Sequence, residues 1–112
     1  MVNVVDPPPV RAVPVWMVHL QLGFIAAGRP PASEDELEPM VELMTRTAGV
    51  CSAAVVPLQS GLAVAAAISA RDAETALDRA MALAFVCARY AGLGKVTVRR
   101  VRVVPEPDAG RA

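Results

Sequence analysis

The sequence predicts an α+β domain: a four-stranded antiparallel sheet with two helices on one face. Three observations carry that reading. Four stretches have the length and apolar alternation of strands, two others repeat apolar residues every three or four positions, and breakers separate them in the order β-α-β-β-α-β. With 112 residues the chain can build one core of modest size but not two. Hydrophobic residues make up 54% and charged residues 20% of it, which is incompatible with disorder as the main state.

The elements follow in order. Residues 1–14 contain four prolines, including Pro7-Pro8-Pro9, and are expected to form an extended arm outside the domain of residues 15–104. In the first strand, residues 15–24, Trp16, Val18, Leu20, Leu22 and Phe24 alternate with Met17, His19, Gln21 and Gly23. A loop with Gly28 and two prolines follows, and Ser33-Glu34-Asp35-Glu36 reads as a capping box opening the first helix. Leu37, Met40, Val41, Met44 and Ala48 form its apolar stripe, with Gly49 as the expected stop. Pro39 is tolerated only in a first turn, so it argues for a start two or three residues after Ser33.

Residues 50–58 and 62–70, joined by Gln59-Ser60-Gly61, read as a hairpin. Pro57 sends the first of these strands to the sheet edge, because it has no amide hydrogen for a ladder. Asp72 is a suitable cap for a second helix over residues 73–91, closed by Gly92 and Gly94. Leu83, Phe85 and Val86 widen that helix's apolar sector beyond a single stripe. In the last strand, residues 95–104, Val96 and Val98 are out of phase with Val101 and Val103. A bulge around Arg99-Arg100 restores them to one face. Residues 105–112 form a short polar tail.

This order resembles the ferredoxin-like fold, a split β-α-β arrangement in which the first and third strands are central and the second and fourth are edges. The likeness covers residues 13–104 and concerns architecture alone, so it implies no activity.

Several functional classes are disfavoured by composition. Eleven basic and eleven acidic residues balance, removing the broad positive field that holds proteins on nucleic acid. The longest unbroken apolar run, residues 80–88, is about half the length of a membrane-spanning helix. No basic segment leading into an apolar stretch opens the chain, so a cytoplasmic location without membrane contact is expected. Cys51 and Cys87 are too few for a disulfide framework and both read as small buried hydrophobes. One His and two distant Cys do not make a metal site, and no cofactor is expected.

Three relatives in architecture also fail on residues. RNA-recognition modules stack bases on aromatic residues of the first and third strands, whereas the third strand here has none. Heavy-metal-binding domains carry a Cys pair where this chain has Ile25-Ala26-Ala27-Gly28-Arg29. Acylphosphatases require a loop Arg, loosely matched by Arg29, and an Asn on the hairpin, which is missing.

The informative anomaly lies on the strand face turned away from the helices. Met17, His19, Gln21, Ala63, Ala65, Ala67 and Ser69 carry no formal charge at neutral pH, and charge enters only through Arg99, Arg100 and Arg102 of the last strand. A two-layer domain usually presents a polar face there, and a large uncharged area marks a contact surface. The leading expectation is a homodimeric, non-catalytic interaction or assembly module. Met17, His19, Gln21, Ala63, Ala65 and Ala67 form its interface, either with a second copy or with another protein partner. The second expectation is a ligand pocket using His19, Gln21, Arg99 and Arg102. It is similar to that of dimeric α/β-barrel enzymes or of ACT-type regulatory domains, although no carboxylate partner for His19 stands in its strand. No catalytic residue is assigned.

Overall fold

A computed structural model describes residues 13–26 and 28–106. Only Val13 and Pro14 of the expected arm, and Pro105 and Glu106 of the tail, fall within that range; the rest lies outside the described residues. The elements are β1 (Val15–Phe24), α1 (Glu34–Arg46), β2 (Val50–Leu58), β3 (Gly61–Ser69), α2 (Ala73–Tyr90) and β4 (Val96–Pro105). The sheet order is β2-β3-β1-β4 with every pair antiparallel, so β1 and β3 are central and Pro57 does sit in an edge strand. No helix among the described residues is long and apolar enough to cross a membrane.

Strand alternation decides which side is buried. Val18, Leu20 and Leu22 of β1 and Leu62, Val64 and Ile68 of β3 are at most 2% exposed. They pack with Leu37, Met40 and Met44 of α1 and with Ala76, Ala80, Ala84, Cys87 and Ala88 of α2. Alanines along α2 let that helix lie close to the sheet. Both helices therefore cover one face, and the odd-numbered residues of β1 and β3 point to the other.

The helix ends correct three expectations. The capping box at Ser33 forms as read: the Glu36 amide donates to Ser33 Oγ at 3.2 Å, and the Ser33 amide donates to Glu36 Oε1 at 2.9 Å. The helix starts there, at Glu34, and runs through Pro39 instead of beginning later. Pro39 removes the bond to the Asp35 carbonyl, but Asp35 is exposed, so that carbonyl is not stranded in the core and the helix tolerates the loss. At the other end α1 stops at Arg46, before Gly49. Thr47, extended at φ −78° and ψ 135°, turns its hydroxyl back onto the Leu43 carbonyl at 2.9 Å and leaves Ala48 outside the stripe. By contrast, α2 ends as its glycine promises. Gly92 takes φ 79°, with amide bonds from Gly92 to the Arg89 carbonyl and from Leu93 to the Ala88 carbonyl, the Schellman pattern.

Two bulges adjust the sheet. Between β1 and β4, Gln21 pairs with Arg100 and Leu22 with Val98, so Arg99 is the extra residue, and Val96, Val98, Val101 and Val103 share the helix-side phase. Between β2 and β3, Val50 pairs with Ile68 and Ser52 with Ala67, so Cys51 is extruded. Cys51 is therefore exposed, not buried, while Cys87 is fully buried as expected, and burial pushes its thiol pKa up.

Candidate functional site

The uncovered sheet face is a grid whose rows are set by strand register. One row runs Ala54, Ala65, His19, Arg102, and the next runs Val56, Ala63, Gln21, Arg100. These eight residues line an open hollow of about 410 Å³. Its floor is low over β2 and β3, where side chains are mostly methyl groups. It rises over β1 and β4, where they are an imidazole, an amide and two guanidinium groups.

A third row, Ser52, Ala67, Met17 and Val104, closes one end. Ala67 is only 2% exposed there and Met17 is half-buried, so these two expected interface residues lie beside the hollow and not in it. The other end is closed by two facing glycines, Gly23 and Gly61. A Cβ on Gly61 would collide with the Leu22 backbone, and one on Gly23 would meet the Arg99 guanidinium. The Arg99 side chain lies across Gly23 and donates to Ser60 Oγ at 3.0 Å, bridging the hairpin tip to β4.

The charged rim is one-signed. Among the described residues no carboxylate stands within ion-pair distance of Arg99, Arg100 or Arg102; the three ion pairs there involve Arg29, Arg46 and Arg71. The acidic residues of α1, Glu34, Asp35, Glu36, Glu38 and Glu42, belong to a helix packed on the opposite side of the sheet. His19 is exposed on the open face, and among the described residues no carboxylate is hydrogen-bonded to it to orient it as a general base. No group of three His, Cys, Asp or Glu side chains among those residues is arranged to hold a metal ion.

Of the residues the sequence nominated for a ligand, His19, Gln21 and Arg102 do come together. Arg99 does not line the hollow, and Arg100 takes its place. The bulge is the physical cause, because one extra residue shifts which of two adjacent arginines shares the row of Gln21. Arg29, the loose match to an acylphosphatase loop, is engaged elsewhere. Its guanidinium carbon sits 4.5 Å from the Phe24 ring centre, and it faces Glu36 at 3.6 Å. The Ser33 amide bond, aided by that cation, holds the Glu36 carboxyl below its ordinary value.

A second depression, of about 450 Å³, opens on the helical side, where Leu43 and Val50 meet Leu83 and Val86. It is almost wholly apolar, and the one cation at its rim, Arg79, is already donating to the Ser69 carbonyl at 2.9 Å. Its sequence signal was the widened apolar sector of α2, which leaves Val86 61% exposed.

Compared with family models, with curated proteins and with solved structures, the chain matches none.

Proposed function

We propose that the protein is a small, non-catalytic homodimeric module of ferredoxin-like architecture, acting in the cytoplasm, whose copies associate through the uncovered sheet face. The observation that carries this reading is the uncharged centre of that face. Two adjacent rows across β2, β3 and β1 present Ala54, Ala65, His19, Val56, Ala63 and Gln21 without one formal charge. A small two-layer domain gains little from leaving such an area in water, and a two-fold pair is the simplest way to cover it.

Sedimentation of the purified protein tests the reading. The wild type is expected to run as a dimer, and Ala65→Glu as a folded monomer, because the new carboxylate is stranded in an apolar contact. A wild type that stays monomeric at high micromolar concentration would refute the module.

A second reading rests on the convergence of His19, Gln21, Arg100 and Arg102 around one hollow. Such a set suits a small anionic molecule, because guanidinium groups bind carboxylate or phosphate and the imidazole and amide supply neutral hydrogen bonds. Native mass spectrometry distinguishes the two. A co-purified small molecule lost in His19→Ala supports the ligand site, whereas a wild-type dimer that carries no small molecule supports the module.

A further inference from the structure

The relief of the open face specifies how a second copy would sit on it. On the β2–β3 half, the side chains at the hollow are Ala54, Val56, Ala63 and Ala65; on the β1–β4 half they are His19, Gln21, Arg100 and Arg102. One half is a floor and the other a ledge. Sheets packed in the aligned manner leave two orientations for an in-plane two-fold axis, along the strands or across them.

An axis across the strands sets β1 on the partner's β1 and β4 on the partner's β4. Ledge then meets ledge, floor faces floor across a void, and the arginines of both copies converge without an acid between them. Like charges brought together this way oppose association.

An axis along the strands, between β1 and β3, sets β1 on the partner's β3 and β4 on the partner's β2. Because paired residues share a row, His19 then stands over the partner's Ala65, and Gln21 over the partner's Ala63. A His or Gln reaching about 6 Å from its sheet and an Ala methyl reaching about 3 Å together approach the ~10 Å spacing of stacked sheets. Arg100 and Arg102 fall on the rim. Their stems cover the partner's Val56 and the partner's Ala54, and their guanidinium groups remain in water.

Area supports the same occupant. Four strands about 4.8 Å apart and about nine residues long at ~3.3 Å per residue make a face near 570 Å². Two such faces bury about 1,100 Å², above the roughly 1,000 Å² that marks a specific interface.

We propose that the partner is a second copy of this chain docked about a two-fold axis along the strands, with the His19–Gln21 ledge of each copy seated in the alanine hollow of the other. This rests on the dimer reading above and adds its geometry.

The test mixes two variants, Ala65→Leu and His19→Ala, and weighs the dimers by native mass spectrometry. In an Ala65→Leu homodimer both contacts are overfilled, and in a His19→Ala homodimer both are underfilled. In the mixed dimer one contact is unaltered and the other pairs the added bulk with the vacated space. The mixed dimer is therefore expected to exceed its statistical share of one half, while Ala65→Leu alone dimerises at least ~10-fold more weakly than wild type, a difference of about 1.4 kcal/mol.

Each copy carries only one change, so compensation between cross-strand neighbours within a single chain cannot mimic the result. The pair Ala63→Leu and Gln21→Ala repeats the test should either first variant lose its far-UV circular dichroism. A statistical or depleted mixed dimer, with wild type still dimeric, overturns the proposed axis and leaves the dimer standing. A monomeric wild type overturns both.

Discussion

Gly61→Ala exposes how tightly the central strands are drawn together under the hollow. A Cβ at position 61 would overlap the Leu22 carbonyl oxygen, and it would lie 2.8 Å from the Leu22 carbonyl carbon and 2.9 Å from Gly23 Cα. All three atoms are backbone of the neighbouring strand, so no rotamer change relieves the clash and β1 must draw away from the hairpin tip. The bond from the Phe24 amide to the Ser60 carbonyl, 2.9 Å, and the Arg99 bond to Ser60 Oγ, 3.0 Å, are the first to lengthen. At about 1 kcal/mol each, they account for roughly 2 kcal/mol. Displacement of Leu22 and Leu62, both fully buried, brings the total to about 2–4 kcal/mol.

For a domain of this size that loss lowers the Tm by about 10–25 °C. Urea denaturation followed by far-UV circular dichroism measures it, with Gly94→Ala as the reference. Gly94 has φ 82° and open space around its Cβ position, so its substitution carries backbone strain without collision, about 1 kcal/mol. If Gly61→Ala costs no more than Gly94→Ala, the close approach of β1 and β3 is refuted.

Two further predictions concern titration and thiol chemistry. The amide of Thr75 donates to Asp72 Oδ1 at 2.7 Å and holds that carboxyl below its ordinary value, as the Ser33 amide does for Glu36. A depressed carboxylate pKa stabilises the fold above its unfolded-state value, and that stabilisation disappears as pH falls through the folded one. Asp72→Ala is therefore expected to lower the Tm at pH 7, by a margin that shrinks as pH is taken below about 4, the ordinary carboxylate range. A margin independent of pH down to 2 would rule out the cap as its origin.

A thiol-selective reagent should modify one cysteine, Cys51, in the native protein and a second only in denaturant, since Cys87 is fully buried with its thiol pKa raised. Rapid native modification of Cys87, located by peptide mass mapping, would show that the α2–sheet core opens.

Several details were legible because a local rule left one solution. The phase reversal between Val96–Val98 and Val101–Val103 required an inserted residue, and a bulge at Arg99 supplies it. Ser33 and Glu36 carry their reciprocal bonds within four residues of chain, so the capping box needed no tertiary information. The Pro39 and Gly49 signals misled because each was read alone: the helix tolerates one missing bond, and Thr47 ends it before the glycine is reached. Cys51 was opaque, since the opening of β2, Val50-Cys51-Ser52-Ala53, has no alternation to fix its register. Arg100 was passed over in favour of Arg99 for a related reason: the bulge was anticipated, but which of two adjacent arginines it would extrude was a matter of pairing with Gln21.

Apolar periodicity was enough to define the elements, their order and the two sides of each central strand, because those properties depend on neighbours a few residues apart. The hollow, its alanine floor and its ledge needed tertiary pairing. Ala54, Ala65, His19 and Arg102 become one row only when hydrogen bonds between strands select a register, and that register sets His19 beside Arg102, 83 positions away along the chain.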